Sequence, residues 1–243
     1  MLAIFKREIQ SFFTSAVGYL VIGLFLVLCG LFLWVFSGQF NMFNYGFADL
    51  SNFFLLAPWV FLFLIPAITM KSFSEEKKLG TLELLFIKPI SLWETVLGKF
   101  LGTTVLALLA VIPTFLYVYS VSQLGTTIGN LDMGVVFGSY FGLFFLITSY
   151  TAIGVFASTL SENQIVAFIL GMLLSFVMYY GFEGLSSLFS SGDSTTLIKN
   201  LGMKAHFDSI ARGVLDTRDL LYFSTVTLFF LFLTVTQLKN LNR

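Results

Sequence analysis

Residues 17–36 read VGYLVIGLFLVLCGLFLWVF, a run of 20 residues without a charged side chain. An α-helix rises 1.5 Å per residue, so about 20 apolar residues cross the roughly 30 Å hydrocarbon core of a bilayer. Val17–Phe36 therefore reads as a transmembrane helix. Working outward, the same rule finds five more runs: Phe53–Met70, Phe100–Val121, Val135–Ser158, Ile165–Phe182 and Leu221–Leu238. The second contains Pro58 and Pro66 and the third Pro113. Proline is tolerated in a span where neighbouring helices satisfy the freed carbonyls. The expected fold class is an all-α integral membrane protein with six transmembrane helices, forming one domain over residues 1–243.

The composition agrees. The chain is 57% hydrophobic and only 11% charged, with mean hydropathy +0.92. A soluble domain is about one-quarter charged, so too little polar surface exists here to cover a water-soluble globule. The 31 Phe residues suit lipid-facing and interfacial positions. A net charge of zero argues against nucleic acid as a partner. The single cysteine, Cys29, excludes an internal disulfide framework and reads as a small buried hydrophobe. Lys6 and Arg7 before an apolar run suggest a signal peptide, but the run is too long for one and no small-x-small cleavage site follows. Leu28 is bulky where a lipoprotein box ending at Cys29 needs a small residue, so no lipidation is expected.

Orientation follows from the basic residues. Lys6 and Arg7 precede the first run; Lys71, Lys77, Lys78, Lys88 and Lys99 lie between the second and third; Lys239 and Arg243 follow the last. An even number of spans puts these segments on one side, and the positive-inside rule makes that side cytoplasmic. The opposite loops Gly38–Asn52 and Ser122–Asp132 carry no Lys or Arg. The third, Glu183–Leu220, carries Lys199, Lys204, Arg212 and Arg218, but is long enough for the rule to weaken. Both termini are therefore expected in the cytoplasm. Ser91 with Glu94 and Ser161 with Gln164 read as capping boxes before the third and fifth spans, the latter implying a tight turn after the fourth.

Two segments at the cytoplasmic face could carry function. Near the N-terminus, Phe5, Ile9, Phe12, Phe13 and Ala16 fall on one helical face, with Lys6, Arg7, Gln10 and Ser11 on the other. This is the pattern of an interfacial helix, either a bare anchor or an elbow that also touches a cytoplasmic partner. The longer segment is Lys71–Lys99, KSFSEEKKLGTLELLFIKPISLWETVLGK. Gly80 breaks the helix continuing from the second span, Thr81 caps a new one, and Pro89 ends it. Leu82, Leu84, Leu85, Phe86 and Ile87 make that short helix strongly apolar. Its cover is either the lipid interface or a groove on a partner protein.

The string Phe73-x-Glu75-Glu76-Lys77-x-x-Gly80-Thr81-x-Glu83-Leu84-Leu85-x-x-x-Pro89 resembles the signature of ABC type-2 permeases. The six-span plan and the N-terminal Phe5-Lys6-Arg7-Glu8 helix resemble that family too, so the likeness covers essentially the whole chain. The resemblance implies that the loop carries a coupling helix docking on an ATPase subunit. Its residues are Glu75, Glu76, Gly80, Thr81, Glu83, Leu84, Leu85 and Pro89, with Ser161 and Glu162 of the second cytoplasmic turn, and Phe5, Lys6, Arg7 and Glu8 form the elbow. It also implies a second permease chain, identical or paralogous, and a cytoplasmic (inner) membrane location. The Phe-rich spans and His206-Phe207-Asp208-x-x-x-x-Gly213-Val214-x-Asp216-x-Arg218-Asp219 resemble the gliding-motility permeases of Bacteroidota. The related permease of nitrous-oxide-reductase maturation is the alternative likeness.

The energetics point the same way. The six apolar runs contain no Asp, Glu, Lys, Arg or His, whereas ion-coupled carriers place ionisable residues or broken helices at mid-membrane. No G-x-x-x-x-G-K-[ST] phosphate loop exists, so ATP and Mg would bind a separate subunit, with no cofactor on this chain. No catalytic residues are expected, because paired acids, Ser-His pairs and metal-ligand spacings are absent from the spans. His206 stands alone and reads as structural rather than as a metal ligand. Gly134, Gly138 and Gly142, and Gly98 with Gly102, form small-residue stripes that pack within the chain or form a subunit seam. In the outer segment, Arg212, Asp216, Arg218 and Asp219 are candidates for a gate network, with simple interfacial anchoring as the other reading. The reading is thus the permease subunit of an ATP-driven exporter. A non-transporting mechanical or scaffold complex, or a maturation-type permease for an exported protein, could use the same coupling loop. Thr148, Ser149, Tyr117, Tyr119, Tyr150, Tyr179 and Tyr180 are the uncharged polar handles in the spans, and they favour an amphipathic or lipid-like cargo or a pathway along a subunit seam.

Overall fold

A computed structural model of the chain describes residues 1–46, 48–83, 90–125, 129–189 and 193–241. It is all-helical, 83% helix with no strand among the described residues. In chain order the helices are α1 (Leu2–Phe13), α2 (Ala16–Gly30) continued by a π-helical turn (Leu31–Val35), α3 (Met42–Tyr45), α4 (Ser51–Thr69) and α5 (Lys71–Lys78). Next come α6 (Leu92–Val111), a 3₁₀ turn (Ile112–Thr114), α7 (Phe115–Leu124), α8 (Met133–Leu160) and α9 (Gln164–Phe176). A π-helical turn (Val177–Gly181) leads to α10 (Phe182–Ser186), then α11 (Asp193–Lys199), α12 (Met203–Ile210) and α13 (Thr217–Leu241).

Among the described residues, six helices are long and apolar enough to cross a membrane: Gly18–Val35, Ser51–Lys78, Leu92–Leu124, Met133–Leu160, Gln164–Ser186 and Thr217–Leu241. Several outrun the apolar stretches. A hydropathy window stops at the first charges, whereas a helix stops only where its hydrogen bonds do. The second span therefore runs through Met70 into the polar α5, and the third starts at the capping box of Ser91 and Glu94, which forms as expected. As built, these spans do hold ionisable residues, among them Glu75, Glu76, Lys99, Glu183 and Asp219, and all lie toward helix ends. The expected cap of the fifth span is corrected. Asn163, not Ser161, accepts the Ile165 N–H, and the Ser161 hydroxyl accepts from Asn163 N instead, one step short of the helix.

The prolines act differently by position. Pro58 and Pro66 sit inside an unbroken α4. Pro113 offers no N–H to the carbonyl one turn earlier, and the chain tightens there into the 3₁₀ turn. The Thr114 hydroxyl donates to the Val111 carbonyl and meets Tyr140 Oη at 3.0 Å, tying the break to α8.

The fourth span is the hub. Asp132 caps it by accepting from Gly134 N and Val135 N. Leu143, Leu146, Ile147, Tyr150 and Ile153 are fully buried, and α8 contacts α4, α6, α9 and α13. By contrast only 28% of the first span and 22% of the fifth are buried, so these two present their apolar side chains outward. Glycines set the closest approaches. A Cβ on Gly138 would lie 3.3 Å from Gly213 Cα, and one on Gly142 3.0 Å from Ile210 Cγ2, so this stripe packs within the chain. A Cβ on Gly154 would lie 2.1 Å from Thr69 Oγ1, a hydroxyl already donating to the Ile65 carbonyl. Gly154→Ala should therefore lower stability by about 1–3 kcal/mol. The thermal midpoint in detergent should drop for the single variant and largely recover in Gly154→Ala with Thr69→Ala; no recovery would place the strain elsewhere.

Candidate functional site

The chain's charge gathers where α1, α5 and the start of α6 meet. Gly98 and Gly102 let α1 lie against α6: their Cβ atoms would sit 3.1 Å from Ile4 Cβ and 2.8 Å from Glu8 Cβ. The face of α1 turned to protein thus runs along Ile4 and Glu8, while Lys6 and Arg7 point outward and Phe5 is half-buried. This approach brings Glu8 onto Lys99, which is 1% exposed. Lys99 Nζ contacts Glu8 Oε1 at 2.9 Å, Glu76 Oε1 at 3.1 Å and the Ser72 carbonyl. An ammonium has three N–H groups, and here each has an acceptor. The Phe73 ring lies 4.9 Å from the same nitrogen. Arg7 Nη2 reaches Glu76 Oε1 at 2.6 Å, so two cations and two carboxylates balance. A buried ion is tolerated only when paired and hydrogen-bonded, and this one is both.

Of the candidate coupling residues, Glu75, Glu76 and Thr81 line the same cleft as Lys99. Glu75 and Glu76 are adjacent but opposite in role: Glu75 is exposed, and Glu76 is buried with its carboxylate on Lys99 and Arg7. Helix α5 ends in a Schellman turn. Gly80 takes φ +66°, Gly80 N donates to the Lys77 carbonyl, and Thr81 N donates to the Glu76 carbonyl at 2.9 Å. The Thr81 hydroxyl also points back to the Glu76 carbonyl, at 3.4 Å. Glu83 is exposed; Leu84, Leu85 and Pro89 lie outside the described residues. Lys77 Nζ donates to the Thr159 carbonyl at 3.1 Å, in the last turn of α8, where carbonyls lack a helical partner and a cation is favoured. This clips α5 to the turn bearing Ser161 and exposed Glu162.

Sequence reasoning missed Lys99 as a site residue, counting it among the loop lysines. The available signal was its place between Gly98 and Gly102 at the mouth of an apolar helix, where a neighbouring helix can close over it.

At the opposite face the four gate candidates do not form one network. Arg212 Nε donates to the Asp208 carbonyl, Asp216 Oδ1 accepts from Arg218 N, and Asp219 is buried against His206. The expectation grouped them by proximity in sequence, but Arg212 and Asp216 serve their own turns and Asp219 reaches across to His206 on α12. His206 has the structural part expected of it: Nδ1 lies 2.6 Å from Asp219 Oδ1, Nε2 2.9 Å from the Asn200 carbonyl, and the ring stacks on Tyr222 at 4.0 Å. The charge network missed there is Glu183 with Lys204 at 2.6 Å and Lys199 at 3.7 Å, and Lys204 with Asp208 at 3.5 Å.

In that cluster burial pushes the Asp208 carboxyl above its ordinary 3.8, with the Lys204 charge pulling back. Burial works to lower Lys204, but its hydrogen bond to Glu183 and the charges of Asp208 and Glu183 outweigh this and raise it above 10.5. The signs differ in consequence. A raised acid favours folding less as pH climbs from 3.8 through its raised value. A raised lysine contributes fully below 10.5 and loses its contribution above its raised value. Asp208→Asn should therefore leave the thermal midpoint at neutral pH unchanged or higher and flatten its fall as pH rises above 3.8, whereas Glu183→Gln should lower it. Equal losses for both variants would contradict this assignment.

The family model described as ABC-2 family transporter protein matches residues 36–203, more than half of the chain and inclusive of residues 71–99. The chain belongs to this family, and is a membrane permease component of an ABC transporter rather than itself a catalyst. No curated protein matches it.

Proposed function

We propose that this chain is one permease half of an ABC exporter associated with gliding motility, lying in the inner membrane with both termini cytoplasmic. A separate ATPase subunit binds ATP and Mg and docks on the segment from Thr81 to Pro89, with Glu75 and Glu83 steering it and Ser161 and Glu162 at the rim. A second permease chain completes the pathway. Family membership supports the ATPase partner. The single observation that carries the coupling is the buried Lys99 knot. It ties α1, α5 and α6 into one body at the root of the docking segment, and the Lys77 clip adds α8. A push on the segment is then handed as a rigid-body motion to the second, third and fourth spans. Lys-rich termini and loop opposite two loops without Lys or Arg support the sidedness.

The purified chain alone should hydrolyse no ATP, and turnover in a preparation free of any ATPase would contradict the division of labour. Lys78→Cys should react with impermeant thiol reagents only from the cytoplasmic side and Asn130→Cys only from outside, both in a Cys29→Ala background. Labelling of both from one side would end the six-span topology. In a gliding cell, loss of the chain should stop gliding; unimpaired gliding would remove that assignment and leave the permease reading intact.

A further inference from the structure

A cleft of about 200 Å³ lies between α1, the α4–α5 junction and α6, beside the Lys99 knot. Its walls change character with depth. Phe12, Ile68 and Leu106 line one part, and Leu106 sits about two turns further into its span than Lys99. Arg7, Lys71, Glu75 and Glu76 line the other, where the second span leaves its apolar stretch. An apolar wall ending in charges at the rim of a bilayer fits an amphiphile whose chain lies along the protein and whose head lies at the interface.

The charges define that head. Arg7, Glu8, Glu76 and Lys99 neutralise one another, leaving Lys71 and Glu75 without an ion-pair partner among the described residues, although they stand four apart on one helix. The cleft therefore offers one spare cation and one spare carboxylate. Two of the lining residues, Ser72 and Glu76, only 3% and 6% exposed, each bury an oxygen, Ser72 Oγ and Glu76 Oε2, that has no hydrogen-bond partner among the described residues. Buried polar atoms require partners, and a carboxylate oxygen requires a donor.

We propose that this cleft binds a phospholipid with a primary-amine zwitterionic head, of the phosphatidylethanolamine class. The phosphate is held by Lys71, with the spare N–H groups of Arg7 at the rim. The ammonium donates to Glu75, Glu76 Oε2 and Ser72 Oγ, three acceptors for three N–H groups. A choline head has no N–H to give, and a glycerol head carries no cation, so it leaves the Glu75 carboxylate unbalanced.

The test is native mass spectrometry of the delipidated full chain in mild detergent, without any ATPase, so its outcome is independent of the docking part given to Glu75. Phosphatidylethanolamine, phosphatidylcholine and phosphatidylglycerol with the same acyl chains are supplied in equal amounts. The ethanolamine lipid should be retained about tenfold over the other two, the worth of one charge-assisted hydrogen bond. Glu75→Gln, at an exposed position, should erase the preference over choline, Lys71→Gln should weaken retention of all three, and Lys239→Gln, outside the cleft, should change nothing. Glycerophosphoethanolamine, which lacks the chains, should not displace the lipid at equal concentration. Equal retention of ethanolamine and choline lipids by the unaltered chain, preference for the glycerol lipid, an unchanged preference in Glu75→Gln, or full displacement by the soluble head would each overturn the assignment. The preference of the unaltered chain decides the matter even where a variant fails to fold.

Discussion

Replacing Lys99 with methionine is expected to destabilise the protein by about 3–5 kcal/mol, the cost of removing one partner from a buried ion cluster. Methionine keeps the stem of the side chain but leaves Glu8 without a cation and Glu76 with Arg7 alone, and Arg7 is largely exposed. The loss is specific in place. Helix α1 is held to α6 by the Ile4–Gly98 and Glu8–Gly102 contacts and by this pair, so it should detach before the spans unfold. Trypsin cleavage after Lys6 or Arg7 should accelerate while helical content persists, and the thermal midpoint should fall. Replacing the charges together, as Glu8→Gln, Glu76→Gln and Lys99→Met, should recover much of the midpoint, because neutral groups carry a far smaller burial cost. The same triple variant should still weaken coupling to ATP hydrolysis, since it removes the tie between α5 and α6. A Lys99→Met chain as stable and as protease-resistant as the unaltered one would mean that the knot holds nothing.

The six spans were legible because twenty uncharged residues have few other uses than crossing a bilayer, and the Ser91–Glu94 cap and the Gly80 turn were legible because their chemistry is local. Lys99 was not. A lysine next to an apolar run reads as the end of a span, and only the crossing of α1 over Gly98 and Gly102 turns it into a buried ion with three acceptors. The division of Glu75 from Glu76 is likewise a matter of which side of α5 faces α6, which charge counting does not see. The outer segment misled for the opposite reason. Arg212, Asp216, Arg218 and Asp219 are close in sequence, but two short turns send them to different partners, and His206, thirteen residues from Asp219, is the partner that matters. Of the polar handles of the spans, Ser149, Tyr150 and Tyr179 proved to be internal, with Ser149 bonding Thr227 and the Phe223 carbonyl, whereas Tyr119 and Tyr180 are exposed.

Leu84→Asp with Leu85→Asp is expected to release the ATPase. Residues 82–87 are apolar but for Glu83 and are set between the Schellman turn at Gly80 and Pro89, and Leu82 is buried against its own chain while Glu83 is exposed. In this reading Leu84 and Leu85 are the anchors in a groove of the partner. Losing one interface anchor costs about 2 kcal/mol or more, roughly thirtyfold in affinity, and two buried aspartates cost further desolvation. Glu75→Lys, on the exposed face of α5, should weaken association less and in a salt-dependent way. Were the segment merely resting on lipid, the aspartate pair would disturb membrane insertion and leave the ATPase bound. The direct measurement is the amount of ATPase retained by unaltered and double-variant chains in mild detergent, normalised to folded, monodisperse permease. Retention by the unaltered chain with at least about a thirtyfold loss of affinity in the variant is the expected result; full retention by the variant would contradict the assignment of this segment as the coupling element.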